Sequence, residues 1–271
     1  VALVFFAVVT LIPLVWMATS AVKNQTDFFT SFFLPHGDGF LGIAWDRLTF
    51  ANFSRLFAEH PIGRALFNSF FFASVSSAGA TLACAMGGYA LAKFQFPARP
   101  FLTALVLGAL IIPAPLLIAP SYQLLWQLGL LNAYSGLILP ALAPAFGVFL
   151  FRQSMLNSVP AELLESARMD GAGEFRIFFT IVIPLVRPMI GAFLLITFLG
   201  AWNNFIGPQI ILQEPALFPL SVTVNNLRGI YATDYGLIMS GTLISIAPVM
   251  CLFLLLQKEF ISGLTTGAVK G

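Results

Sequence analysis

Apolar residues run through the chain in long uninterrupted blocks, and charges punctuate them. Five stretches contain no Asp, Glu, Lys or Arg: residues 1–22, 65–92, 100–151, 188–213 and 235–257. A helix needs about 20 apolar residues to cross the hydrocarbon core of a bilayer, so four of these stretches fit one span each. The third, 52 residues long, needs two spans with a turn between them. Gly129, Asn132 and Tyr134 interrupt the apolar pattern between Gln127 and Ser135 and mark that turn. The pattern predicts an all-α, polytopic membrane protein of six transmembrane helices, at 1–22, 66–92, 101–126, 133–153, 185–212 and 236–258. All 271 residues then form one transmembrane domain, with a lobe at 23–64 on one side and a loop at 154–184 on the other.

Composition points the same way. Hydrophobic residues make up 59% of the chain and charged residues 9%, where a soluble domain carries about 25%. Folded in water, such a chain would expose apolar patches large enough to aggregate, whereas lipid tolerates that surface. A net charge of +2 without a basic run excludes nucleic acid as a partner. Cys84 and Cys251 lie inside apolar runs and read as packing residues rather than a disulfide framework. The first apolar run is too long for a signal-peptide core and is followed by no small-residue cleavage site, so it reads as a span.

Six spans put both ends on one side. With the termini cytoplasmic, the inner segments hold Lys93, Arg99, Arg152, Arg168, Arg176, Arg187, Lys258 and Lys270, against Lys23, Arg47, Arg55, Arg64 and Arg228 outside. That excess of basic residues inside predicts cytoplasmic termini. Spans 3 and 4 carry Pro113, Pro115, Pro120, Pro140 and Pro144. Proline removes a backbone donor and bends a helix, which in a membrane fits either ordinary kinks or the wall of a channel.

The inner loop carries the strongest local signal, VPAELLESARMDGAGEFRIFFTIVIPLVRP from Val159. Pro160 and Glu162 suit the first turn of a helix. Leu163, Leu164, Ala167 and Met169 give that helix an apolar side, and Asp170-Gly171 ends it, since glycine readily takes the left-handed conformation of a helix stop. A second helical segment, Gly173 to Ile183, has Phe175, Phe178, Phe179 and Val182 at helical spacing, and Pro184 begins the next span. A helix–turn–helix this apolar in water is either a protein-docking element or an interfacial helix.

The run Glu165-Ser166-Ala167, three residues, Gly171, nine residues, Ile181, one residue, Ile183-Pro184 resembles the EAA loop of ABC importer permeases. Ser166 stands for the family's first Ala and Ile183 for its Leu. Asp170-Gly171-Ala172 and the C-terminal run from Gly263 to Gly271 are similar to the MalG-like permeases of the carbohydrate-uptake branch. Ala201-Trp202-Asn203-Asn204-Phe205 resembles that branch's span-5 signature, with Asn204 where an acidic residue usually stands. The resemblance implies the type I importer fold with a cytoplasmic coupling helix–turn–helix, in a bacterial or archaeal cytoplasmic membrane. It implies a MalF-like second permease, two nucleotide-binding ATPase subunits and an extracytoplasmic sugar-binding protein as partners, with membrane lipid around the spans. ATP and Mg belong to the ATPase subunits; no cofactor belongs to this chain. Carried over, Glu165 makes polar contact with the ATPase, Gly171 allows the turn beside Asp170 and Ala167, and Leu163, Leu164, Phe175 and Phe178 fill the ATPase groove. Asn225, Asn226, Arg228 and Tyr231, in the loop Glu214 to Asp234, meet the binding protein. Apart from the resemblance, two adjacent carboxamides, Asn203 and Asn204, beside Trp202 cannot both hide on one packed face, which with the in-span Gln123 makes these residues candidates for the translocation path as against helix packing.

The residues also limit the alternatives. An ion-coupled secondary transporter keeps ionisable groups within its spans at a cost of ~2.5–3.5 kcal/mol each; here the charge-free stretches hold only neutral polar residues such as Asn68, Ser69, Thr197 and Ser240. These suit a neutral sugar, or packing between helices. A membrane scaffold without transport activity is the third reading. No GxxxxGK[ST] run occurs, so ATP is not bound through a P-loop, and no GxSxG elbow indicates a hydrolase. His36 and His60 lie in the outer lobe without metal-site spacing.

Overall fold

The computed structural model describes residues 2–229 and 233–268, and side chains over 3–229 and 233–255. Its α-helices run in order α1 (Ala2–Ala21), α2 (Gln25–Thr30), α3 (Ala51–Glu59), α4 (Ile62–Lys93), α5 (Arg99–Ala109), α6 (Ile118–Gln127), α7 (Tyr134–Ala141), α8 (Ala145–Ser158), α9 (Ala161–Met169), α10 (Glu174–Ile177), α11 (Ile183–Leu185), α12 (Arg187–Trp202), α13 (Ile206–Ile211), α14 (Leu220–Asn225) and α15 (Tyr235–Ala268). Short 3-10 turns link some of them, and Phe178–Val182 forms a π-helical turn between α10 and α11. Extended pairing among the described residues is limited to two isolated bridges, His36 with Ile43 and Arg228 with Thr233.

Four segments are long and apolar enough to cross a membrane as they stand: Leu3–Ala21, Ile62–Lys93, Tyr134–Ser158 and Tyr235–Leu255. The two remaining apolar stretches are bent. Arg99–Ala109 and Ala114–Gln127 meet at 104°, and Glu174–Leu185 meets Arg187–Trp202 at 83°. The stretch expected as one span at 101–126 is therefore broken, because Pro113 is extended (ψ 125°) and Pro115 has no N–H to continue a helix. The stretch expected as one helix over 185–212 stops at Trp202; Asn203 and Asn204 close α12 with N–H bonds to Leu199 and Ala201 before α13 begins.

The chain divides into two compact units. The first comprises the residues up to Ser69 and Glu214–Cys251. Its lobe at 23–64 is organised around Lys23, which is buried at the end of α1. The Lys23 ammonium donates to the carbonyls of Ser31 (2.9 Å) and Phe32 (3.1 Å) and sits 5.8 Å above the Phe28 ring. Burial pushes its pKa down, and the nearby Asp27 carboxylate opposes that shift. Asp27 is itself buried and pairs with Arg47, while the Asn24 side chain caps α2 by accepting from the Asp27 N–H at 2.8 Å. Asn52 donates to the carbonyls of Ala21 (2.9 Å) and Lys23 (2.8 Å), tying α3 to the end of α1. Asn68 donates to the carbonyls of Ala216 and Phe218, and the Ser69 hydroxyl accepts from the Leu220 N–H at 2.7 Å. Those two polar residues anchor the loop before α14.

The second unit holds Phe70–Gln213 and the chain from Leu252 onward. Its core joins α4, α8, α9, α10 and α12 through Cys84, Tyr89, Phe151, Met155, Leu164, Ile177, Phe178, Val182 and Phe193. Close approach of α4 and α8 depends on Gly88: a Cβ there would lie 2.6 Å from the Phe151 Cβ and 2.7 Å from the Arg152 N. The loop predicted at 154–184 is thus part of the core of this unit.

Candidate functional site

The loop after α8 is built from its turn outward. Three bonds close α9: the Asp170 N–H donates to Ser166 O, Gly171 N–H to Arg168 O and Ala172 N–H to Ala167 O, each at 3.0 Å. The last two form the paired C-terminal motif that needs a left-handed residue between them. Gly171 supplies it with φ +80°, and no atom lies within 4 Å of where its Cβ would be. The turn is therefore fixed by backbone conformation rather than crowding.

Two polar latches hold this loop to α4. The Lys93 ammonium donates to the Val159 carbonyl (2.5 Å) at the start of the loop. Across the Gly171 turn, Arg168 donates to the Glu174 carboxylate (Nε to Oε1, 2.6 Å), which also accepts from the Tyr89 hydroxyl (3.1 Å). The Arg168 guanidinium lies 5.8 Å above the Phe94 ring. Bonding to Arg168 holds the Glu174 carboxyl below the usual carboxylate range against the opposing effect of partial burial, with Tyr89 adding a smaller lowering contribution. Arg168 and Glu174 are six apart and meet only because the turn folds α10 back onto α9, so no helical spacing announces the pair.

The four apolar residues expected to fill a partner's groove divide into two pairs. Leu163 and Phe175 are exposed, Phe175 at 71%. Leu164 and Phe178, at 2% and 3% exposure, lie in the chain's own core. They support the loop from beneath, which corrects the expectation that all four face outward. Glu165, Asp170 and Gly171 are exposed and Ala167 is half-buried against the core. Met169, exposed at 83%, and the exposed Phe179 add to the apolar surface that Leu163 and Phe175 present.

A second feature lies at the broken apolar stretches of the same unit. A cavity of about 380 Å³ is lined by Pro115, Ser121, Tyr122, Asn204, Gly207 and Ile211, among others. The Asn204 carbonyl oxygen accepts from the Gly207 N–H at 3.2 Å, which turns the chain beside the cavity. Asn203 is exposed beside it in sequence, and Gln123 is exposed outside the cavity lining. Trp202, expected on a path, is instead 4% exposed and stacks on Phe198 with centroids 5.8 Å apart. Its ring serves packing, and the polar lining comes from Ser121, Tyr122 and Asn204. Of the loop residues expected to meet a binding protein, Asn226 and Arg228 are exposed, Asn225 is half-buried, and Tyr231 lies outside the described residues.

The fold is that of a helical membrane permease. One solved structure, a bacterial ABC transporter involved in the import of the acidic polysaccharide alginate, superposes with a TM-score of 0.82 at 20% identity, covering 96% of this chain and 94% of that one. Residues 79–258 match the family described as binding-protein-dependent transport system inner membrane component. The chain belongs to that family. Among its relatives, the arabinooligosaccharides transport system permease protein AraQ of Halalkalibacterium halodurans is 39% identical over 83% of this chain and 80% of its own. The lactose transport system permease protein LacG of Rhizobium radiobacter is 30% identical over 97% and 92%.

Proposed function

We propose that this chain is a membrane subunit of an ATP-driven importer of sugars or oligosaccharides, pairing with a second permease to enclose the translocation path. Two cytoplasmic ATPase subunits drive it, with ATP and Mg held there, and an extracytoplasmic binding protein delivers the sugar. Both termini face the cytoplasm, as the distribution of basic residues favours. Relatives named for arabinooligosaccharides and lactose support a carbohydrate substrate. The observation that carries the reading is the loop closed at Gly171. It is seated on α4 and α8 by Leu164 and Phe178, yet presents Leu163, Glu165, Met169 and Phe175 outward. An ATPase that holds the exposed side moves the spans through the buried side. The cavity beside Asn204 has the neutral, mixed lining that suits sugar hydroxyls, and Asn225, Asn226, Arg228 and Tyr231 serve as contacts for the binding protein.

The test is co-purification from cells expressing this chain with its genomic neighbours, with ATPase activity read on the complex. Recovery of a second permease and an ATPase, with hydrolysis stimulated by sugar-loaded binding protein, is the expected result. Gly171→Val forces a β-branched residue into left-handed backbone at about 1–2 kcal/mol; it leaves the chain inserted and abolishes that stimulation. Uptake by this chain alone, driven by an ion gradient, would overturn the proposal.

A further inference from the structure

Where α4 gives way to α5, the second unit contains a cavity of about 590 Å³ that neither the docking loop nor the substrate path uses. Arg99 and Arg152 line it, with Gln95 and Thr103 as neutral polar groups and Phe96 and Leu107 as apolar wall. No carboxylate lines it, and neither arginine has an ion-pair partner among the described residues. Arg99 already spends part of its guanidinium on the end of α4, donating to the carbonyls of Leu91 (3.0 Å) and Ala92 (3.4 Å). The Arg152 Nε is shielded from solvent, and so from the cavity, and has no hydrogen-bond partner among the described residues; only the terminal nitrogens of this guanidinium can reach a ligand in the cavity.

The end of α5 adds to the positive field. Arg99 is its first residue, Ala98 offers no side-chain cap, and the first turn has no acidic residue. A helix N-terminus of this kind favours an anion, and a cation placed there is unfavourable without one. Arg99, Arg152 and the first turn of α5 therefore all line one cavity, at the seam where α5 packs alongside α8.

We infer that this cavity binds the phosphodiester headgroup of an anionic membrane phospholipid. The volume exceeds what a lone phosphate needs, and Phe96 and Leu107 provide apolar wall for the glycerol and the first acyl carbons. Basic pockets between membrane helices at the cytoplasmic surface recognise such headgroups, and guanidinium pairs phosphate oxygens in bidentate fashion. The inference rests on the topology proposed above, which puts Arg99 and Arg152 at the cytoplasmic leaflet.

Native mass spectrometry of the intact transporter complex, titrated with phosphatidylglycerol or phosphatidylcholine in detergent, tests it. The wild-type complex retains phosphatidylglycerol in preference. Arg152→Gln weakens that retention roughly five- to tenfold, Arg152→Lys keeps most of it, and Arg187→Gln, an equal charge loss at an exposed position outside the cavity, leaves it unchanged. Leu107→Trp, which fills the apolar wall and leaves both charges in place, weakens retention as well, so the result does not hang on one arginine variant. Equal retention of the two lipids, or equal loss in Arg187→Gln, overturns the site. Displacement of the lipid by inorganic phosphate alone overturns the lipid assignment. Topology is read separately, from impermeant maleimide labelling of Gln95→Cys in sealed vesicles of both orientations, so a failed topology is distinguishable from a failed site.

Discussion

In the lobe at 23–64 one ammonium organises the backbone around it, whereas in the loop after α8 the same task falls to buried phenyl and aliphatic groups. Lys23, Asp27, Arg47 and Asn52 fix the lobe through directed bonds to named carbonyls and carboxylates. Leu164, Ile177, Phe178 and Val182 fix the loop by interdigitating with α4 and α8. A polar network specifies shape, and removing one member leaves its partners buried and unpaired. A packed core is stiff and transmits displacement through many small contacts. A lobe that only has to keep its form can use the first solution, while a loop with the coupling role proposed above needs the second.

The contrast breaks most severely at Phe178. Phe178→Ala removes a buried ring and should cost about 3–5 kcal/mol, lowering the thermal midpoint of the purified chain and the yield of complex together. Phe175→Ala, one turn earlier but exposed, should leave the midpoint where it was and weaken only ATPase retention. If both variants lose stability alike, the division of the loop into a buried and a presented side is wrong.

In the lobe, Asn52→Ala leaves the Ala21 and Lys23 carbonyls without their donor. A loss of about 1–3 kcal/mol follows, seen in thermal unfolding, while ATPase binding through the loop stays intact. Loss of ATPase binding in this variant would show that the two segments are not independently organised.

The smallest effect belongs to the Glu174 latch. Its carboxyl is held below its ordinary pKa in the folded chain, so its contribution is present above the unfolded value and fades as pH falls through the folded one. Glu174 is partly exposed, so the change is modest. Glu174→Gln should flatten the acid limb of coupled ATPase activity measured against pH; an unchanged limb would remove the latch from the account.

Much of this was readable from the residues alone. Charge-free length marked out five apolar runs, because hydrocarbon excludes charge whatever the helix does inside it, and the length of the third asked for two spans. Continuity was not readable in the same way: Pro113 and Pro115 signalled a bend, but the 104° break depends on how the chain packs. The Gly171 stop was legible because its conformation is local. Leu163 and Leu164 were not separable, since adjacent apolar residues on a helix lie about 100° apart and only the neighbouring helices decide which one is covered. The Arg168–Glu174–Tyr89 cluster joins residues distant in any helical count, and the chain reveals it only once the turn is closed.

The π-helical turn at Phe178–Val182 sits between the seated part of the loop and the 83° corner into α12. Such a turn carries one residue more than an α turn in the same rise, and these turns recur at functional sites. Rewinding it would rotate everything after it by about 100° about the helix axis, with no need to slide the loop along the membrane. Under the coupling proposed above, movement of the loop would reach α12 at this joint as a twist.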